Sequence, residues 1–134
     1  MRLRQRFHFK WVKIIKYLEK FHFPRNKDLY FLDVGCGSHS ATISCSELKD
    51  YKVKYHGIDI TRDYNNNEAD FEAMDRFYEK DLTKLEFDDI PDNFYDVIAC
   101  SQVIEHLYNG DQVIEKLLSK LKTGGGSVPR MAIH

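Results

Sequence analysis

Two glycines one residue apart, set behind an apolar run, make Tyr30-Phe31-Leu32-Asp33-Val34-Gly35-Cys36-Gly37-Ser38 the most chemically suggestive segment of the chain. Without Cβ atoms, Gly35 and Gly37 let the backbone turn sharply and approach a ligand closely. The helix predicted to follow offers its first, unpaired N–H groups at the same place. A dinucleotide fingerprint asks for a third glycine where this chain has Ser40, a residue still small enough for close packing of helix on strand. Asp33, two residues ahead of Gly35, would repel a pyrophosphate; beside a cationic amino-acid cofactor its carboxylate is useful. More polar residues recur downstream at Asp59, Asp81, Ser101-Gln102 and Glu105-His106. Cys36, Cys45 and Cys100 show no CxxC spacing and the six histidines are scattered, so no zinc, redox or other metal site is predicted.

These residues need elements to position them. Phe7, Trp11, Ile14, Ile15, Leu18 and Phe21 share one helical face, with Lys10, Lys13, Lys16 and Lys20 on the other, which predicts an amphipathic helix closed before Pro24. The near-continuous apolar run Leu29–Val34 reads as a buried parallel strand. A weaker helix is expected over Ser38–Leu48, then a second strand over Val53–Ile60 that ends in an acid. Residues 61–72, with Asn65-Asn66-Asn67, read as a loop with a helical turn. A short third strand covers Arg76–Lys80, and a fourth covers Phe94–Cys100. Asn109-Gly110-Asp111 caps a last helix with apolar positions Val113, Ile114, Leu117, Leu118 and Leu121, ended by Gly124.

Strands alternating with helices predict an α/β fold with a mostly parallel sheet. Ligands of such sheets bind outside the carboxyl ends of the strands. The positions to inspect are therefore Gly35–His39, Asp59–Thr61, Asp81–Leu82 and Ser101–Gln102.

At 134 residues, 43% hydrophobic and 31% charged, the chain reads as one domain with enough apolar content for a core. Net charge is only −1, yet residues 1–27 carry nine Lys/Arg against the single acid Glu19, while the rest carries eleven against twenty acids. A solvated or body-docked basic face is favoured over an arm for nucleic acid or an anionic surface. Neither a membrane span nor a signal-peptide core is evident, which points to the cytoplasm and reduced thiols.

Taken in order, the motifs resemble a known family. Asp33-Val34-Gly35-Cys36-Gly37 is similar to the first motif of the class I S-adenosylmethionine-dependent methyltransferases. Gly57-Ile58-Asp59-Ile60 resembles the acidic end of their second strand, and Lys80-Asp81-Leu82 the adenine-contacting turn. Tyr95 through Leu107 resembles the fourth-strand motif, and Leu121-Lys122-Thr123-Gly124-Gly125 the turn before a fifth strand. The resemblance implies a Rossmann-like three-layer sandwich and S-adenosyl-L-methionine as cofactor. It implies that Gly35, Cys36 and Gly37 pack against the methionine part, with Asp33 near its ammonium. Asp59 would accept from both ribose hydroxyls and Ile60 would cover the adenine face. Asp81 and the Leu82 N–H would read the adenine edge, and Ser101 and Gln102 would lie near the transferred methyl.

The sequence also departs from that family. A third glycine common there is His39 here, at the mouth of the loop. After Gly124-Gly125 only residues 126–134 remain, so a fifth strand at most is expected and the family's final strands are not. The expected organisation is thus 1–27 as the N-terminal helix, 28–125 as the cofactor core and 126–134 as the fifth-strand remnant. Some members hold a divalent metal with Glu-x-x-Glu-His; Gln102 in place of the first Glu is a poor ligand for a hard cation. The candidate bases are His106 and His39. The expected activity is methyl transfer to an unidentified acceptor, expected to be a small molecule. A catalytically silent cofactor-binding fragment and a nicotinamide-dependent oxidoreductase are the alternatives.

Overall fold

The computed structural model describes residues 3–63, 65–100, 104–122 and 131–133. Helix α1 (Leu3–Lys20) buries Trp11, Ile14 and Leu18 and leaves Lys13, Lys16 and Lys20 exposed. Phe7 and Lys10, assigned to the same two faces, lie outside the described side chains. The helix stops because His22 turns left-handed (φ 54°). The His22 N–H then reaches the Glu19 carbonyl and the Phe23 N–H the Leu18 carbonyl, satisfying carbonyls that the helix end would orphan. Phe23 and Leu18 are both buried at this stop, and Pro24 forbids continuation.

Five strands follow: β1 (Asp28–Val34), β2 (Lys52–Asp59), β3 (Arg76–Glu79), β4 (Val97–Cys100) and β5 (Met131–Ile133). They form one sheet in the order β3-β2-β1-β4-β5, with every neighbouring pair parallel. Since the order reverses direction at β1, ligand-facing loops gather beside it. Alternation along β1 divides the core between two sheet faces. Leu29 and Phe31 pack with Trp11, Leu18, Ala41, Leu48 and Tyr55 beneath α1 and α2 (Ser40–Glu47). Leu32 and Val34 pack on the other face with Ile58, Ile98, Val113 and Leu117, beneath α4 (Gly110–Leu118). Each fully buried side chain of this size contributes roughly 1.5–3 kcal/mol, so two apolar layers hold a sheet whose carboxyl edge can stay polar. The result is the predicted three-layer, Rossmann-like α/β arrangement.

Several boundaries differ from the sequence reading, each for a local reason. The fourth strand begins at Val97 rather than Phe94, because Asp96 takes over two bonds to Tyr30: its N–H reaches the Tyr30 carbonyl and its carboxylate accepts the Tyr30 N–H, both at 2.9 Å. Helix α4 ends at Leu118 rather than near Gly124, and Leu118 is exposed instead of lying on the apolar face. The chain beyond it turns back: the Phe94 and Tyr95 N–H groups bond the Lys120 carbonyl, and the Lys122 N–H bonds the Tyr95 carbonyl. Leu121 therefore bridges Tyr95 in parallel and is buried in strand-like pairing. Gly124 itself lies outside the described residues. Loop 61–72 does contain helical structure, α3 (Glu68–Ala73). Among the described residues no helix is long and apolar enough to cross a membrane.

Candidate functional site

The glycine loop leaves β1 through Gly35, whose φ of 86° lies in the left-handed region that favours glycine. The Gly35 and Cys36 N–H groups both donate to the Ile58 carbonyl, at 2.8 and 3.2 Å, which pins the loop to the tip of β2. Gly37 is not left-handed; Ser38 (φ 56°) and His39 (φ 64°) are. Helix α2 consequently starts at Ser40 instead of Ser38. A left-handed residue with a side chain costs about 1–2 kcal/mol, so tertiary contacts must hold both.

Asp33 is fully buried one strand position short of Val34. Its Oδ2 accepts from the Tyr55 hydroxyl at 2.5 Å and from the Ser40 hydroxyl. Burial, then the Asp33 charge, pushes the Tyr55 hydroxyl well above its ordinary pKa, so Tyr55 remains a donor. Asp33 thus ties β1, β2 and the first residue of α2 together beneath the loop. Ser40, at the place of the fingerprint's third glycine, joins this bond and packs closely.

Asp59 closes the loop from the side. Its Oδ2 accepts the Gly37 N–H at 2.9 Å and its Oδ1 the Ile60 N–H at 2.7 Å. Burial raises the Asp59 pKa, the two N–H donors pull it down, and Asp33 raises it further, leaving it above the usual carboxylate value. A carboxylate has lone pairs enough to keep these bonds and accept more. Ile60 stands beside it 63% exposed. The Lys80 N–H bonds the Asp59 carbonyl, so the chain after β3 runs alongside. There Asp81 caps the short 3-10 turn Leu82–Lys84, accepting from the Thr83 N–H at 3.0 Å and the Thr83 hydroxyl at 2.6 Å. Those two bonds hold its carboxyl below the usual range. Leu82 is buried.

The carboxyl ends of β1, β2 and β3 therefore bring Gly35, Cys36, Gly37, Asp59, Ile60, Asp81 and Leu82 into one row. Ser101 and Gln102 lie outside the described residues; Cys100, just before them, ends β4 beside Val34. Of the candidate bases, His106 is exposed on a 3-10 turn, Ile104–His106. His39 is half exposed, with Nδ1 2.6 Å from Oδ2 of the buried Asp70.

Sequence reasoning missed or misassigned six contributors. Gly57 sits inside β2, where a Cβ would lie 2.6 Å from Cys36 Sγ; a glycine within a strand is itself a signal of close approach. Asn65, Asn66 and Asn67 read only as loop. In the structure the Asn66 Oδ1 accepts the His39 N–H at 3.1 Å, and the Asn65 amide reaches the Ser38 hydroxyl at 3.5 Å. Asn67 caps α3 and Asp70 returns the bond, a reciprocal pair legible as a polar residue followed three later by an acid. Asn109, expected to cap α4, makes no side-chain cap bond; its amide donates to the Thr83 carbonyl at 2.9 Å instead and steadies the Asp81 turn.

A family model described as a methyltransferase domain matches residues 3–128. Solved structures share the fold at low identity. One described as a sarcosine dimethylglycine methyltransferase from Galdieria sulphuraria is 17% identical with a TM-score of 0.67, over 98% of this chain and 48% of that one. The plantazolicin methyltransferase BpumL, solved with S-adenosylhomocysteine, is 21% identical with a TM-score of 0.63, over 87% and 43%. Phosphoethanolamine N-methyltransferase 2 of Haemonchus contortus, solved with phosphomonomethylethanolamine and S-adenosylhomocysteine, is 22% identical with a TM-score of 0.60, over 86% and 27%. The chain thus spans about half or less of the length of each. No curated protein matches it significantly.

Proposed function

The chain belongs to the methyltransferase-domain family, and from that premise we propose that it binds S-adenosyl-L-methionine at the row of strand ends and acts as a methyltransferase on a small-molecule acceptor. The observation that carries the reading is Asp59: a half-buried carboxylate bonded to the Gly37 N–H of the glycine loop, with exposed Ile60 next to it. A carboxylate there suits a ribose diol, and an exposed apolar side chain suits an adenine face. Two solved relatives hold S-adenosylhomocysteine. Gly35, Cys36 and Gly37 would bear on the methionine part, with Asp33 supporting the loop from below. Asp81 and Leu82 would meet the adenine edge, and Ser101 and Gln102 the methyl end. When bound, the cofactor supplies an electrophilic methyl on a sulfonium; the protein's share is alignment and exclusion of water. His39 and His106 are the candidate proton acceptors.

The test is calorimetric titration of the 134-residue chain with S-adenosylhomocysteine, in parallel with Asp59→Ala. Each hydrogen bond to a charged group is worth about 1.5–3 kcal/mol, so removing the acid weakens binding by about 100-fold. Absence of binding to the unmodified chain at millimolar ligand refutes the reading. A cofactor-binding module that transfers nothing is the second reading. Methyl transfer by this chain to any acceptor overturns it.

A further inference from the structure

We infer that Asp70, a residue of α3 outside the row of strand ends, is a positioning residue for the cofactor loop and acts on it through His39. The inference rests on the proposed cofactor site and adds to it a distant part of the chain.

His39 holds a left-handed backbone (φ 64°, ψ 20°) immediately before α2 and makes no side-chain cap bond there. Its imidazole turns instead toward α3, with Nδ1 2.6 Å from Asp70 Oδ2. Asp70 is completely buried although charged, and its carboxylate meets three partners. Oδ2 also accepts the Asn67 N–H at 2.9 Å, and Oδ1 accepts the Thr42 hydroxyl on α2. Burial opposes its ionisation, but the bonds from Thr42, Asn67 and His39 prevail and hold its carboxyl below the usual value. The His39 N–H is taken by Asn66 and its carbonyl by the Ile43 N–H. These contacts of His39 thus all lead to α2, α3 or the loop between β2 and α3. His39 is separated from Gly37 by Ser38 alone, and Gly37 is the residue that Asp59 grips.

Two roles for Asp70 make different predictions. As a staple it would join α3 to α2 through Thr42 and leave the loop alone. As a positioning residue it would hold a strained residue whose release moves Ser38 and Gly37. Glycine adopts the left-handed conformation without steric cost, so a His39→Gly background removes the need for the hold and separates the two.

The experiment is a double-mutant cycle on the full chain, with Asp70→Asn and His39→Gly singly and together. Its readouts are S-adenosylhomocysteine affinity by calorimetry and amide hydrogen exchange at Gly37–Ser40 without ligand. Asp70→Asn is expected to weaken affinity and speed exchange by about tenfold where His39 is present, and by less than twofold in the His39→Gly background. Equal effects in both backgrounds establish the staple and overturn the inference. His39→Ala, at an exposed position, tests the same hold from the other side: it should bind about tenfold more weakly than His39→Gly. Equal binding by these two variants also overturns the inference. Failure of the unmodified chain to bind ligand strikes the proposed cofactor instead, and the exchange measurement still decides the role of Asp70.

Discussion

Two histidines, one beyond the carboxyl end of the sheet and one within its body, show how differently rim and body are built. His39, beyond the carboxyl end, is half exposed, left-handed and bonded to a buried acid. His56, in the body of β2 opposite Leu32, is buried among Tyr30, Tyr78, Phe94 and Tyr95, with ring centroids 5.4–6.5 Å away. Its Nδ1 lies 2.7 Å from the Tyr95 hydroxyl. Burial lowers its pKa, Asp75 partly counters this, and Arg76 lowers it further. The rim directs its hydrogen bonds to shaping the glycine loop, and the body closes them inside a ring cluster. The rim keeps polar groups at the carboxyl ends of the strands; the body supplies rigidity.

The contrast can be broken at the rim or in the body. The largest effect is expected from Gly57→Val, which drives a Cβ toward Cys36 Sγ at 2.6 Å. Overpacking of this kind costs about 3 kcal/mol, and urea unfolding should show that loss together with weakened cofactor binding, because Cys36 belongs to the loop. Unchanged binding would mean the loop does not depend on its seat against β2. Next comes Tyr95→Phe, which leaves the buried His56 Nδ1 without its hydroxyl partner. It should lower stability by about 1–2 kcal/mol while leaving cofactor affinity within twofold, since the ring cluster stands apart from the loop.

A smaller effect separates the histidines by pH. The unfolded His56 titrates near its ordinary value of about 6.5, while the folded group titrates lower. Between those values the unfolded chain binds more protons, so stability is full above about pH 6.5 and is lost as pH falls through the folded value. Urea midpoints at pH 7 and pH 5 measure the slope, and His56→Gln should flatten it. The least effect is expected at Arg25–Asp50, an ion pair 3.8 Å long between side chains 60% and 67% exposed. Asp50→Ala should change stability by less than about 0.5 kcal/mol; a larger change would give the chain just before β1 and β2 a structural weight that its exposure argues against.

Much of this arrangement was legible in the chain itself. The near-continuous apolar run at 29–34 suits a strand covered on both faces, as in a parallel sheet, and β1 is central. The acid ending β2 was visible by its place after an alternating segment. Helix α4 was misjudged at its end because Leu121 satisfies a helical period and a strand-like bridge equally well; its pairing with Tyr95 chose between them. Ser38 and His39 could not be read as left-handed, since that conformation is uncommon for any residue with a side chain and the bonds that hold them come from residues 27 positions or more away.

Local pattern by itself determined the succession of strands and helices, the glycine turn and the acids that follow β2 and β3, because periodicity and backbone freedom act over a few residues. Only the tertiary structure decided that Asp33 lies beneath the loop, that Asp59 grips Gly37, and that Asp70 reaches His39. A carboxylate's partners are set by which strand ends and helices pack side by side, and that proximity is a property of the folded sheet.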